Sequence, residues 1–122
     1  MLTDLQITQI TSLANGLPIY KAKKDEFLEI TEFDKDTVVT LISKRLTKNF
    51  LVAFEALLFI DGKKYKFSVT GKISNITSTP ENSFSTEIEM HHFDHDLWNK
   101  FIDCNLENQS KIDKVLQKMK DF

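Results

Sequence analysis

The dipeptide Asp61-Gly62 constrains this chain more than any other feature, because it sits between two long apolar-rich runs, Phe50–Ile60 and Lys63–Ile76. Asp-Gly favours a two-residue type I′ turn, since both central positions need φ > 0. A turn that short fixes how its flanking strands pair. It sets Leu58 opposite Tyr65, Ala56 opposite Phe67, Phe54 opposite Val69, Val52 opposite Gly71 and Phe50 opposite Ile73. Every one of these pairs is apolar or contains glycine. The other face sets Leu51 opposite Lys72, Glu55 opposite Ser68 and Leu57 opposite Lys66. One face is therefore dry and the other mixed, as in a half-solvated antiparallel sheet. A slip of one residue would exchange the faces.

Further strand-like runs lie on either side of this hairpin. Ile19–Lys23, Phe27–Phe33 and Thr37–Ser43 precede it, punctuated by Lys24-Asp25 and Asp34-Lys35-Asp36. After a turn over Thr77–Asn82 with Pro80, Phe84–Phe93 alternates, with Phe84, Ile88 and Met90 on one side and Ser85, Glu87 and Glu89 on the other. Residues 3–14 read as a short helix, with Thr3 as N-cap and Asn15-Gly16 followed by Pro18 as its stop. Asp94 reads as the N-cap of a helix carrying Leu97, Trp98, Phe101 and Ile102 on one face. Ser110 to Asp113 reads as a capping box opening a last helix, striped by Ile112, Val115, Leu116, Met119 and Phe122. Strands joined by such short turns cannot be parallel. The expected fold is mainly β: a small six-stranded antiparallel barrel, with a short N-terminal helix and one or two C-terminal helices, one of them over an opening. With 122 residues the chain makes one domain, residues 1–122.

Composition removes several functions. Sixteen basic residues oppose eighteen acidic ones, and Arg45 is the only arginine. Neither half of the chain is basic, and arginine is the usual bidentate reader of phosphates and guanine edges, so nucleic acid is not an expected partner. The longest apolar run is interrupted by Glu55 and falls far short of the ~20 residues of a membrane helix, so no membrane insertion is expected. The opening MLTDLQITQI lacks the basic region of a secretory signal. Cys104 is alone and cannot form an internal disulfide, which fits a reducing, cytoplasmic setting.

Catalytic chemistry finds little footing. His91, His92 and His95 cluster with Asp94 and Asp96, yet no second group of His or Cys completes a metal shell, and a strand end running into a helix cap accounts for them. Cys104 follows an apolar helical stripe and reads as a half-buried thiol; His95 is the nearest base in sequence for a nucleophile reading. Glu87 and Glu89 share a solvent-facing side rather than a cleft. The three glycines match no phosphate-binding loop. No enzyme activity and no cofactor are expected.

Three stretches share a pattern with a known domain. They are FLVAFEALLFIDGKKYKFSVTGKISNI, a long hairpin ending in a glycine-lysine strand; STEIEMHHFDHDLWNKFI, a strand flowing into a helix; and the amphipathic tail NQSKIDKVLQKMKDF. From about Val38 to Phe122 the chain resembles a PilZ domain, a bacterial six-stranded barrel that in many members binds cyclic di-GMP. The family binds it through R-x-x-x-R and [D/N]-x-S-x-x-G. Neither motif is possible here, because Arg45 stands alone and Thr11, Leu57 and Lys66 occupy the positions five before the glycines. Cyclic di-GMP is therefore not expected to bind in the usual way. The resemblance implies an adaptor or regulatory domain that works by binding another protein, in bacterial signalling or in motility or envelope regulation. Leu51, Leu57 and Phe59, on the mixed hairpin face, are the candidate interaction surface, unless the N-terminal helix covers them. The alternative is a small-ligand or cyclic-dinucleotide receptor with a rearranged site around Lys44, Arg45 and Lys48.

Overall fold

The computed structural model describes residues 5–22 and 26–105. They form seven strands: β1 (Leu5–Ala14), β2 (Leu17–Ala22), β3 (Phe27–Phe33), β4 (Thr37–Ile42), β5 (Leu51–Ile60), β6 (Lys63–Ser78) and β7 (Phe84–His92). One helix, α1, follows over residues 95–105. All strand pairs are antiparallel, in the order β2-β1-β5-β6-β7-β4-β3.

The central hairpin pairs in the register its turn dictates. Leu58 faces Tyr65, Ala56 faces Phe67, Phe54 faces Val69 and Val52 faces Gly71. Ile73 donates its backbone N–H to the Phe50 carbonyl at 3.0 Å, extending the same register. Asp61 and Gly62 have φ of 50° and 79°, the double positive φ that the turn requires. Val52, Phe54, Ala56, Leu58 and Ile60 are all buried, as are Phe67, Val69 and Ile73 across from them.

The N-terminal segment corrects the expected helix. Residues 5–14 are a strand, with Leu5, Ile7, Ile10 and Ser12 buried. Asn15-Gly16 is a hairpin turn, with φ of 53° and 80°. Thr3, the expected N-cap, lies outside the described residues. The physical reason is a bulge. Ile7 pairs with Ala56 and Gln9 with Glu55, so Thr8 is an extra residue on β1. That residue shifts the buried positions from Ile7 to Ile10 and breaks the strict alternation by which a strand is read from sequence. The added strand also corrects the count from six to seven. Lys23, Lys24 and Asp25 lie outside the described residues, as does the last helix expected from Ser110.

The sheet curls into a half-barrel rather than a closed barrel. β2 and β3 are its two edges, and β1 approaches β3 across the curl. Bulges supply the bending. Ser74 is extra on β6 and His91 on β7, and two more residues, Leu28 and Thr31, are extra on β3. Gly71 sits between the two β6–β7 irregularities, where the strands nearly touch. A Cβ there would collide with the Glu89 carbonyl oxygen and lie 3.0 Å from its carbonyl carbon and 3.2 Å from Met90 Cα.

Helix α1 plugs the concave side. Asp94 caps it, accepting the Leu97 N–H on Oδ1 at 3.1 Å. Trp98 and Phe101 are fully buried, with Leu97 and Ile102 half-buried beside them, as the stripe predicts. The Trp98 ring stacks on Phe67 at 5.2 Å and on Phe101 at 5.3 Å, and meets Phe33 edge-on at 5.7 Å. Its indole N–H donates to the Asp34 carbonyl at 3.0 Å, which ties the helix to the β3–β4 turn. A buried indole needs such a partner. Among the described residues no helix is long and apolar enough to cross a membrane.

Gly71→Ala should destabilise the fold by about 3 kcal/mol, because the added carbon meets backbone that cannot give way. Gly62→Ala meets no neighbour and pays only for its positive φ, about 1–2 kcal/mol. Urea denaturation of the two variants checks the order; an equal or reversed ranking would show that β6 and β7 are not in close approach at Gly71.

Candidate interaction surface

The hairpin register divides β5 and β6 into two faces. On the outer face β5 presents Leu51, Ala53, Glu55, Leu57 and Phe59. β6 presents Lys64, Lys66, Ser68, Thr70 and Lys72 directly opposite, in reverse order. An apolar row broken by one acid thus runs beside a row that is cationic at both ends. Leu51 is 45% exposed, and Leu57 and Phe59 are half-buried. No helix lies over them from residues 5–14, since β1 pairs edge to edge with β5 and widens the same face with Gln6, Thr11 and Leu13.

The structure adds an apolar corner that sequence reasoning missed. Leu13 pairs with Leu51 on one side and with Pro18 on the other, so the three lie side by side across β5, β1 and β2. Leu17 and Ile19 flank Pro18 and are 69% and 53% exposed. Ile19 is the extra residue of a bulge against β1. The signal was present in Asn15-Gly16. Read as a hairpin rather than a helix stop, it brings Leu17–Ile19 back alongside Leu13.

Lys44, Arg45 and Lys48 lie in the segment between β4 and β5, and all three are exposed. Lys44 is already engaged. Its Nζ sits 4.0 Å from the centre of the Tyr20 ring, a cation–π contact. Leu46, between the cations, is buried in the core. Tyr20 in turn donates its hydroxyl to a Glu26 carboxylate oxygen. Burial, helped by that hydrogen bond and by the negative charge of Glu26, pushes the Tyr20 phenol up to about 12. Sequence reading did not join Tyr20 and Glu26 to Lys44, because their side chains meet only once β2, β3 and the end of β4 converge.

The remaining candidates separate. His91 pairs with Glu89, at 3.1 Å, and His95 stacks on Phe93, at 4.1 Å between centroids. Among the described residues no three His, Cys, Asp or Glu side chains converge as metal ligands. Cys104 is half-buried, and its thiol donates to Asp61 Oδ1 at 3.7 Å. His95 is nine residues earlier on the same helix, about 14 Å along the axis, too far to serve as its base. The contact joins α1 to the central turn beside a depression of about 390 Å³, whose lining includes Asp61, Asp96, Lys100 and Asp103.

No protein-family model, curated protein or solved structure matches this chain.

The raised Tyr20 value carries a sign. The folded state holds the phenolic proton more tightly than the unfolded chain, whose phenol titrates near 10. The associated stability is complete below about pH 10 and is lost as pH rises toward about 12. Ultraviolet titration should show a phenolic step near 12 that Tyr20→Phe removes and that Glu26→Gln moves down. A wild-type chain whose phenols all titrate near 10 would contradict the Tyr20–Glu26 contact.

Proposed function

We propose that this chain is a non-catalytic interaction domain, an adaptor or regulatory module that docks another protein on the outer face of its sheet. The observation that carries the reading is the apolar corner, where Leu13, Pro18 and Leu51 are contiguous on the outer face and Leu17 and Ile19, the neighbours of Pro18 along β2, are exposed. Exposed apolar groups clustered in this way mark binding surfaces, because their removal from water drives association. The edges of the sheet are poor alternatives. β2 carries Pro18, which lacks an N–H, and a bulge, while β3 carries two bulges in seven residues. Such features blunt an edge against strand addition. The resemblance to PilZ domains supports the wider setting, a bacterial cytoplasm and a role in signalling, motility or envelope regulation, since members without the ligand motif work as interaction modules.

The receptor alternative draws less support, because Lys44 is committed to Tyr20 and one arginine cannot clamp two phosphates in bidentate fashion. Calorimetry with cyclic di-GMP should show no saturable heat. A one-site isotherm abolished by Arg45→Ala would replace the adaptor reading with the receptor one. Affinity capture from the source organism should retain a protein on the wild-type chain that is lost from Leu17→Ser/Leu51→Ser at unchanged circular dichroism. Identical captures by both would overturn the proposal.

A further inference from the structure

The outer face has a second feature at the opposite end from the apolar corner, beside the Asp61-Gly62 turn. Phe59 faces Lys64 and Leu57 faces Lys66. β7, which brings Glu87 and Glu89 onto this face, reaches back only to Thr70 and so flanks Lys72 but stops short of Lys64 and Lys66. On the other side, the β1 residue paired with Leu57 is the uncharged Gln6. Among the described residues the ion pair formed is His91 with Glu89, so neither lysine is neutralised by a described carboxylate. Two exposed ammonium groups thus stand beside two half-buried apolar side chains, in a chain whose net charge is −2.

We infer that this end of the face binds an acidic amphipathic helix of a partner protein. The inference rests on the interaction reading above and names the chemistry of the partner. Alternate residues on a strand are about 6.8 Å apart. Residues i and i+4 of a helix are about 6 Å apart along its axis. A helix lying along β5 and β6 can therefore set carboxylates at i and i+4 over Lys64 and Lys66, and aliphatic side chains from its neighbouring stripe over Leu57 and Phe59. Helices pack on sheet faces in just this way. A strand is a weaker fit, since it would need an unblunted edge.

Charge complementarity favours a helix over a lipid surface. A planar anionic membrane large enough to touch both lysines would also meet Glu55 in the apolar row and Glu89 beside Lys72. A helix is about 10–12 Å wide with its side chains and can lie within the two rows. Nucleic acid fits less well still, because the lysines are backed by apolar groups rather than by arginines that read phosphate.

The test uses fluorescence anisotropy with two labelled helical peptides. One carries Glu at i and i+4 and Leu at i+3 and i+7; the other replaces each Glu by Lys. The wild-type chain should bind the acidic peptide and lose affinity as salt rises. Lys64→Glu/Lys66→Glu should weaken that binding at least tenfold and should gain binding of the Lys peptide. Leu57→Ser should weaken binding of the acidic peptide as well, with the circular dichroism of each variant unchanged. Equal binding of the two peptides by the wild type, no binding of either, or indifference to the charge reversal would overturn the inference. So would retention on phosphatidylserine vesicles, but not on neutral ones, in a chain that ignores the acidic peptide. If the captured partner described above still depends on Leu17 and Leu51 but is indifferent to Lys64 and Lys66, this inference falls and the interaction reading stands.

Discussion

A two-residue turn decides which side of this molecule is wet. Asp61 and Gly62 both adopt positive φ, and the strands that leave them have no freedom to slide. A shift of one residue would carry Val52, Phe54, Leu58 and Ile60 from the core to solvent. At about 1.5–3 kcal/mol for each buried side chain, that loses roughly 6–12 kcal/mol, which Leu51, Leu57 and Phe59 would regain only in part on turning inward, because Glu55 would be buried with them. The net stability of a domain is itself only about 5–15 kcal/mol. No other register is therefore accessible, and the same register aligns Leu57 and Phe59 with Lys66 and Lys64. The interior and the proposed binding face are two readings of one constraint.

The remainder of the architecture is shaped by irregularities in the ladder. Extra residues at Thr8, Ile19, Leu28, Thr31, Ser74 and His91 bend and twist the sheet, and Gly71 lets β6 and β7 come together at the bend. The outcome is a curled sheet with two edges, its hollow filled by Trp98, Phe101 and the aromatic rings around them. The same bulges that curl the sheet also roughen β2 and β3. The proposed docking on the face rather than at an edge rests on that one property.

Much of this was legible in the residues. The hairpin, the boundaries of β3, β4 and β7 to within a residue or so, and the Asp94 cap with its aromatic stripe all follow from short-range rules of turn, alternation and capping. The outward placement of Leu51, Leu57 and Phe59 follows too. The N-terminal strand did not, for two local reasons. Asn-Gly serves equally as a helix stop and as a hairpin turn, because both need positive φ. The Thr8 bulge then put Ile7 and Ile10 three apart, which hides the period-two alternation of a strand. Propensity alone could not arbitrate; the free edge of β5, waiting for a partner, did.

What the amino-acid order determined by itself is the alternation about Asp61-Gly62, because a tight turn and period-two side chains leave one pairing that hides the apolar residues. What only the tertiary structure decided is everything that depends on strands distant in sequence. It placed Leu13 beside Leu51, set the ammonium of Lys44 on the Tyr20 ring, and ended β7 short of Lys64 and Lys66. Such juxtapositions arise from where bulges bend a sheet and where its edges fall. Those are cooperative outcomes of packing, with no signature in any short stretch of sequence.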